Sequence, residues 1–278
     1  MSQTGRQAKN QAQNAAGKAQ DSDALDWLAA GGLVALGVVH VVVGWLAVQL
    51  ALGDREGSAS SSGALKQLAE QPFGAVLVWL VALGMALLVV WQVVKAVAGH
   101  RDEDDDKKRL AKRAISAGKA VVYAVIAFSA VQVATGSGGG GGGTDSTTAK
   151  IMDLPGGQLI VGAIGLGIVA VGVALLVMAW KEKYLDRLDA EGRSGRTGTI
   201  YRWLGRVGHV AKGIALGIVG GLFVYAAATH EPDKSGGLDQ ALTKVLDQPF
   251  GPVLLTLMGL GFAAYGVFCF AWARHLDR

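Results

Sequence analysis

The sequence predicts an all-α polytopic membrane protein in which six transmembrane helices form three tandem hairpin repeats. Three observations predict it. Of the 278 residues, 51% are hydrophobic and 17% charged, with a mean hydropathy of +0.36, whereas an ordinary soluble domain carries about 25% charged residues. Six apolar stretches reach the ~20 residues that cross the hydrocarbon core of a bilayer as a helix. The tetrapeptide QPFG occurs twice, at Gln71 to Gly74 and Gln248 to Gly251, in a chain with 5 prolines.

Residues 1–25 are polar and lack the apolar core of a secretory signal, so they read as a disordered cytoplasmic tail. The six stretches run from Leu28 to Leu52, Phe73 to Val97, Ile115 to Thr135, Gln158 to Trp180, Val207 to Thr229 and Gly251 to Ala273. A soluble bundle would require a polar stripe on most of its helices. None is present in AVLVWLVALGMALLVVW or LIVGAIGLGIVAVGVALLVMAW.

Direction follows from charge. All of the 26 Lys and Arg residues except Arg55, Lys66, Lys150, Lys234 and Lys244 fall in the tail, in the stretches near 98–119 and 181–212, at Lys95 or at the C-terminus. The positive-inside rule places those segments, and both termini, in the cytoplasm. Trp27, Trp180, Trp203 and Trp272 lie near the same edge, where indole favours the interface. The net charge of +4 and pI near 9.2 thus reflect sidedness, and no nucleic-acid partner is expected.

The repeat emerges when Pro72, Pro155 and Pro249 are aligned. Glu70, Asp153 and Asp247 precede them by two positions; Gly74, Gly157 and Gly251 follow by two, and Gly84, Gly167 and Gly261 by twelve. Upstream, LGVVHVVVG from Leu36, KAVVYAVIA from Lys119 and KGIALGIVG from Lys212 stand at the same distance from their prolines to within one residue. Three two-helix units result, at 26–100, 112–184 and 202–278, joined by a charged cytoplasmic linker at 101–111 and a second at 185–201. Units with an even number of spans share one orientation, which predicts pseudo-threefold symmetry about the membrane normal. Gly37, Gly44, Gly213, Gly217, Gly259 and Gly266 recur at spacings suited to close helix approach.

These units resemble a family of bacterial membrane proteins of unknown function built from three repeats of two helices. The family's repeat carries alanine-lysine-glycine in its first helix and proline-phenylalanine-glycine at the start of its second. AGKAVVYAVIAFSA with MDLPGG, and VGHVAKGIALGIVGGLFVYA with ALTKVLDQPFG, carry the resemblance, which covers nearly the whole chain after residue 25. The first unit departs in having Leu36 where the lysine stands, the second in having LPGG for QPFG. The resemblance implies topology and a membrane location, and no activity.

The repeat-defining turn of Pro72 and Gly74, Pro155 and Gly157, and Pro249 and Gly251 reads as the entry to each second span, with proline in the first helical turn and the preceding acid near the positive end of the helix dipole. Ahead of it, ALKQLAE and ALTKVLD predict short interfacial helices in the first and third units. The second unit instead carries GSGGGGGGT at Gly136 to Thr144, read as flexible coil. RDEDDDKKR at Arg101 to Arg109 and EGRSGRTGTIYRW from Glu191 read as solvated linkers, the latter attractive to anionic head groups.

Polar groups within spans are the natural functional candidates, because each costs free energy in hydrocarbon. His40 aligns with Tyr123 and Leu216, and nine residues on, Gln49 aligns with Gln132 and Tyr225. His40, Tyr123, Gln49, Gln132 and Tyr225 are candidates for a polar path, against a plainer reading as interhelical hydrogen bonds. Lys119, Lys212 and His209 are candidates for an electropositive cytoplasmic vestibule, against a reading in which both lysines snorkel to the interface. The single Cys269 reads as a small buried hydrophobe. His40, His100, His209, His230 and His275 show no metal-ligand spacing, and no catalytic motif occurs. The sequence therefore leads to a non-enzymatic multi-pass protein of the cytoplasmic membrane with a structural or interaction role, without cofactor, whose partners are the lipid bilayer and either a membrane protein or another copy of itself. A small-solute or ion permeation protein is the alternative.

Overall fold

Each apolar stretch folds as one helix in the computed structural model, which describes residues 23–53, 58–97, 105–137 and 144–276. In chain order the helices are α1 Asp23–Ala51, α2 Ser61–Ala69, α3 Gly74–Val97, α4 Asp106–Ala134, α5 Thr144–Met152, α6 Gly157–Trp180, α7 Ala190–Arg193, α8 Gly195–Thr229, α9 Leu238–Leu246 and α10 Gly251–Arg274. Among the described residues 6 helices, α1, α3, α4, α6, α8 and α10, are long and apolar enough to cross a membrane. The expectation for 1–25 lies outside the described residues apart from its last three, which already belong to α1.

Two expected linkers are partly helical. α4 begins at Asp106 because Asp105 caps it, its carboxylate accepting from the Lys107 and Lys108 N–H groups at 2.9 and 3.3 Å, which satisfies two first-turn donors that have no intrahelical partner. α7 and α8 begin at Ala190 and Gly195, so most of the stretch read as a second linker is helix. Residues 101–104 and 138–143, and with them most of the glycine run, lie outside the described residues.

The short surface helix is present in all three units. α2, α5 and α9 are each 9 residues long, although TDSTTAKIM in α5 lacks the leucine spacing that marks the other two. The turn that follows is a different device from the one expected. Gly74 N–H donates to Gln71 C=O at 2.7 Å, Gly157 to Leu154 at 2.8 Å and Gly251 to Gln248 at 2.8 Å. The third residue of each turn has positive φ: Phe73 at 62°, Gly156 at 73° and Phe250 at 61°. This is a type II turn, with proline pre-set at its second position and a left-handed residue at its third. Proline therefore lies before the helix, not in its first turn. LPGG, the copy that departs from the pattern, is the one with the least strained residue at the left-handed position. Phe73 and Phe250 are 84% and 82% exposed, so these strained residues hold aromatic rings outward at the interface. The preceding acids Glu70 and Asp247 are C-caps of α2 and α9.

The second helix of each unit packs along the first helix of the next, pairing α3 with α4, α6 with α8, and α10 with α1. Glycines make two of these seams close. A Cβ on Gly37 would lie 2.8 Å from the Gly266 carbonyl oxygen, and one on Gly44 2.5 Å from that of Gly259. One repeat on, a Cβ on Gly213 would meet the Gly172 oxygen at 2.9 Å, and one on Gly220 that of Gly165 at 2.7 Å. In lipid, dispersion between closely approached backbones replaces the hydrophobic effect as the force joining helices. Gly217, expected in this set, has nothing within 4 Å of its own Cβ position.

Within units the pattern is unequal. α1 packs on α3 and α8 on α10, and no comparable packing joins α4 to α6 among the described residues. A Cβ on Gly84 would meet the Ala35 Cβ at 2.4 Å, and one on Gly261 the Ala211 Cβ at 2.3 Å. The equivalent residues of the second unit, Gly167 and Gly118, have nothing within 4 Å. The second hairpin is open between its two spans.

The basic end of α6 is tied to α8 and α10. The Tyr184 hydroxyl, fully buried, donates to the Arg202 carbonyl at 2.6 Å, and burial pushes it up to about 12. Glu182 reaches Arg202 and Arg206 at 3.3 and 3.9 Å. Asp189 accepts from the Gly192 N–H at 2.7 Å and lies 3.2 Å from His275 Nδ1. Its own N–H donates to the His275 carbonyl at 2.9 Å.

Candidate functional site

The interior polar groups gather toward the basic end. His40 on α1 holds its ring by a contact from Nδ1 to the Leu36 carbonyl oxygen at 2.9 Å. A carbonyl only accepts, so the proton sits on Nδ1 and leaves Nε2 as an acceptor. Lys212 Nζ on α8 lies 3.1 Å from that Nε2 and donates to it. The ammonium also stands 4.2 Å from the centre of the Tyr265 ring on α10, a cation–π contact. The His40 and Tyr265 rings are 4.7 Å apart. His40, Lys212 and Tyr265 thus form one contact across three helices.

His209, one turn before Lys212, is bound in the same way. Its Nδ1 lies 2.7 Å from the Gly205 carbonyl oxygen, so it donates there. The ring is 0% exposed, stacked on Tyr184 at 4.9 Å and met edge-on by Tyr265 and Phe268 at 5.2 and 5.7 Å. Its Nε2 has no hydrogen-bond partner among the described residues, and neither does the Trp272 Nε1.

Around this centre four cations converge. The charges of Lys95, Lys119 and Lys212 all interact with that of Arg187, and Lys119 also with Lys95 and Lys212. Lys95 stacks at 3.9 Å over Trp91, and Arg187 at 4.6 Å over Trp272; the two indoles meet at 6.3 Å. Arg187 Nη2 also lies 3.3 Å from Met178 Sδ on α6. Asp26 is the carboxylate that acts on Lys95. Like charges held together in a medium of low polarity repel strongly, and an anion in their midst relieves that repulsion.

A repeat described as Domain of Unknown Function (DUF1206) matches at residues 31–99, 115–182 and 207–275, each match spanning one hairpin. The chain belongs to this family. It is also 28% identical over 237 residues to the uncharacterized protein YxxB of Bacillus subtilis (strain 168), covering 85% of this chain and 86% of that protein. No solved structure matches the chain.

The three DUF1206 repeats contribute unequally to the centre. Lys212 and Lys119 are equivalent, with Leu36 in the first repeat; His40 is equivalent to Tyr123 and Leu216. Of the vestibule candidates, Lys212, Lys119 and His209 are brought within electrostatic reach of one another. Lys212 does not snorkel: it turns to His40, a residue about 20 Å along α1 from Asp26. Lys119 stands exposed on the open hairpin, beside Gly118.

The polar-path candidates do not form one set. Tyr123 is half-buried and packs against the apolar core. Gln49 instead accepts from the Gln67 amide of α2 at 3.2 Å, Gln132 is half-buried near the far end of α4, and Tyr225 is 55% exposed. Trp272, read as an interfacial anchor, is 8% exposed and part of the cationic centre. Nothing in the sequence pattern marks Lys95, Arg187 or Trp272 as members of this centre. FAAYGVF marks Tyr265 as polar within a span, but the alignment of polar levels followed first helices and Tyr265 lies on a second.

Proposed function

We propose that this multi-pass protein sits in the cytoplasmic membrane with both termini in the cytoplasm, and that its role is to hold an anionic ligand without chemical change. The observation that carries this reading is the cationic cluster in which Lys95 lies over Trp91 and Arg187 over Trp272, the two indoles 6.3 Å apart, with Lys119 and Lys212 within electrostatic range of Arg187. A buried indole N–H without a hydrogen-bond partner among the described residues, on the Trp272 over which Arg187 stacks, adds a donor suited to an anionic oxygen. Ionisable groups inside a membrane are functional candidates whose partner must be named, and here a ligand fits that part. Proton transfer is not required of any group: His40 and His209 are each fixed as one tautomer by a backbone carbonyl. The even number of spans and the gathering of basic residues at one face support the orientation.

The test is thermal unfolding of the protein in a neutral detergent, titrated with phosphatidylglycerol or with inorganic phosphate. A ligand that binds the folded state alone at 100 times its Kd stabilises by about 2.7 kcal/mol. The expected result is stabilisation by an anionic titrant that is lost in Lys119→Gln and Arg187→Gln. Equal response of the wild type and both variants, or none, overturns the reading.

A further inference from the structure

The open hairpin decides which kind of anion reaches the site. In the first and third units, the residues equivalent to Gly118 and Gly167 press directly on one another, Ala35 against Gly84 and Ala211 against Gly261. In the second unit both glycines face open space. The opening is flanked by apolar side chains that no neighbouring helix covers among the described residues. Val122 and Val125 on α4 are 56% and 61% exposed, Ile164 and Val171 on α6 40% and 53%. In a bilayer such a gap is filled by lipid chains.

The cations stand at one end of that gap. Lys119 lies one residue from Gly118, exposed on the opening and still coupled to Lys95, Lys212 and Arg187. It is four residues beyond Ile115, about 6 Å of helical rise from the start of the apolar part of α4. That is the depth at which headgroups of the basic-side leaflet give way to their chains. Apolar walls leading to a cationic end match one chemistry, a negatively charged head on long hydrocarbon chains. A free anion gains nothing from those walls, and toward the other face Gln49 is tied to Gln67 and Tyr225 lies on the outer surface.

We propose that the ligand is an anionic amphiphile of the bilayer, entering sideways between α4 and α6, its headgroup against Lys119 and its chains along the open faces of the second hairpin. The proposal rests on the cationic centre being a ligand site. Filling the gap is sterically permitted, since a Cβ at either glycine meets nothing within 4 Å.

The experiment titrates the full-length protein in phosphatidylcholine nanodiscs with fluorescent phosphatidylglycerol and, separately, with inorganic phosphate as competitor. Variants are Lys119→Gln, the double variant Gly118→Leu/Gly167→Leu that fills the opening, and Gly118→Ala/Gly167→Ala as the folding control. Expected are at least a tenfold preference for phosphatidylglycerol over phosphatidylcholine, a tenfold or greater loss in Lys119→Gln and in the double leucine variant, near wild-type binding in the alanine control, and no displacement by millimolar phosphate. Unchanged binding in the double leucine variant, or displacement by phosphate, overturns sideways entry and leaves the cationic site standing. Absence of binding by both probes, or indifference to Lys119→Gln, overturns the site itself.

Discussion

Replacing one glycine by alanine at the same place in each repeat should give opposite results in different repeats. At Gly84 the new methyl meets the Ala35 Cβ at 2.4 Å, and at Gly261 the Ala211 Cβ at 2.3 Å, against 3.4 Å for ordinary contact. The helices must part by about 1 Å, and gaps of that size forfeit roughly a quarter to a half of the dispersion well for each atom pair across them. Overpacking of this kind costs about 1–3 kcal/mol, offset by about 1 kcal/mol because alanine outranks glycine in a helix. The net expectation is destabilisation of about 0–2 kcal/mol at Gly84 and Gly261. At Gly167, where nothing lies within 4 Å, the propensity gain stands alone, and Gly167→Ala should stabilise by up to about 1 kcal/mol. For a chain of this size 1 kcal/mol shifts Tm by roughly 2–4 °C. Thermal unfolding in detergent, read by intrinsic tryptophan fluorescence, should lower Tm for Gly84→Ala and Gly261→Ala and hold or raise it for Gly167→Ala. A fall at Gly167 matching the other two would refute the open hairpin.

Three further outcomes follow from the same structure. In a double-mutant cycle on His40→Leu and Lys212→Met, His40→Leu alone should cost about 1–3 kcal/mol by leaving a buried ammonium without its acceptor, and the double variant should recover part of it; additive effects would deny the contact. The Gly192 N–H, reinforced by His275, holds the Asp189 carboxyl below its ordinary value. Its stabilisation is therefore full above the unfolded pKa of about 3.9 and lost as pH falls through the folded value, so Asp189→Asn should lower Tm at neutral pH, with the gap to wild type starting to shrink below about pH 4 and closing only once pH has passed below the folded value. Gly156→Phe should destabilise by about 1–2 kcal/mol, the cost of a left-handed non-glycine residue, measured against Phe250→Gly in the same detergent.

The spans were legible because hydrocarbon thickness sets a length that composition alone reveals. The repeats were legible because the turn before each second span keeps its proline and glycine. The turn type was not: proline suits both the first turn of a helix and the second position of a type II turn, and a left-handed Phe73 cannot be read from propensity. α5 is not legible in the sequence because its apolar residues, Ala149, Ile151 and Met152, are confined to its last turn and lack the leucine spacing of α2 and α9. The His40–Lys212 contact joins residues 172 apart at different levels of the repeat, so aligning equivalent positions kept them separate. The open hairpin was hidden for the opposite reason, since Gly167 repeats the packed Gly84 and Gly261 and differs from them only in what faces it.

The account is tested most directly by an experimental density map of the protein in nanodiscs containing phosphatidylglycerol. It should show α4 and α6 apart, with headgroup density within hydrogen-bond distance of Lys119 and acyl density between Gly118 and Gly167. A map with those two glycines in contact and no density beside Lys119, Arg187 and Trp272 would contradict it.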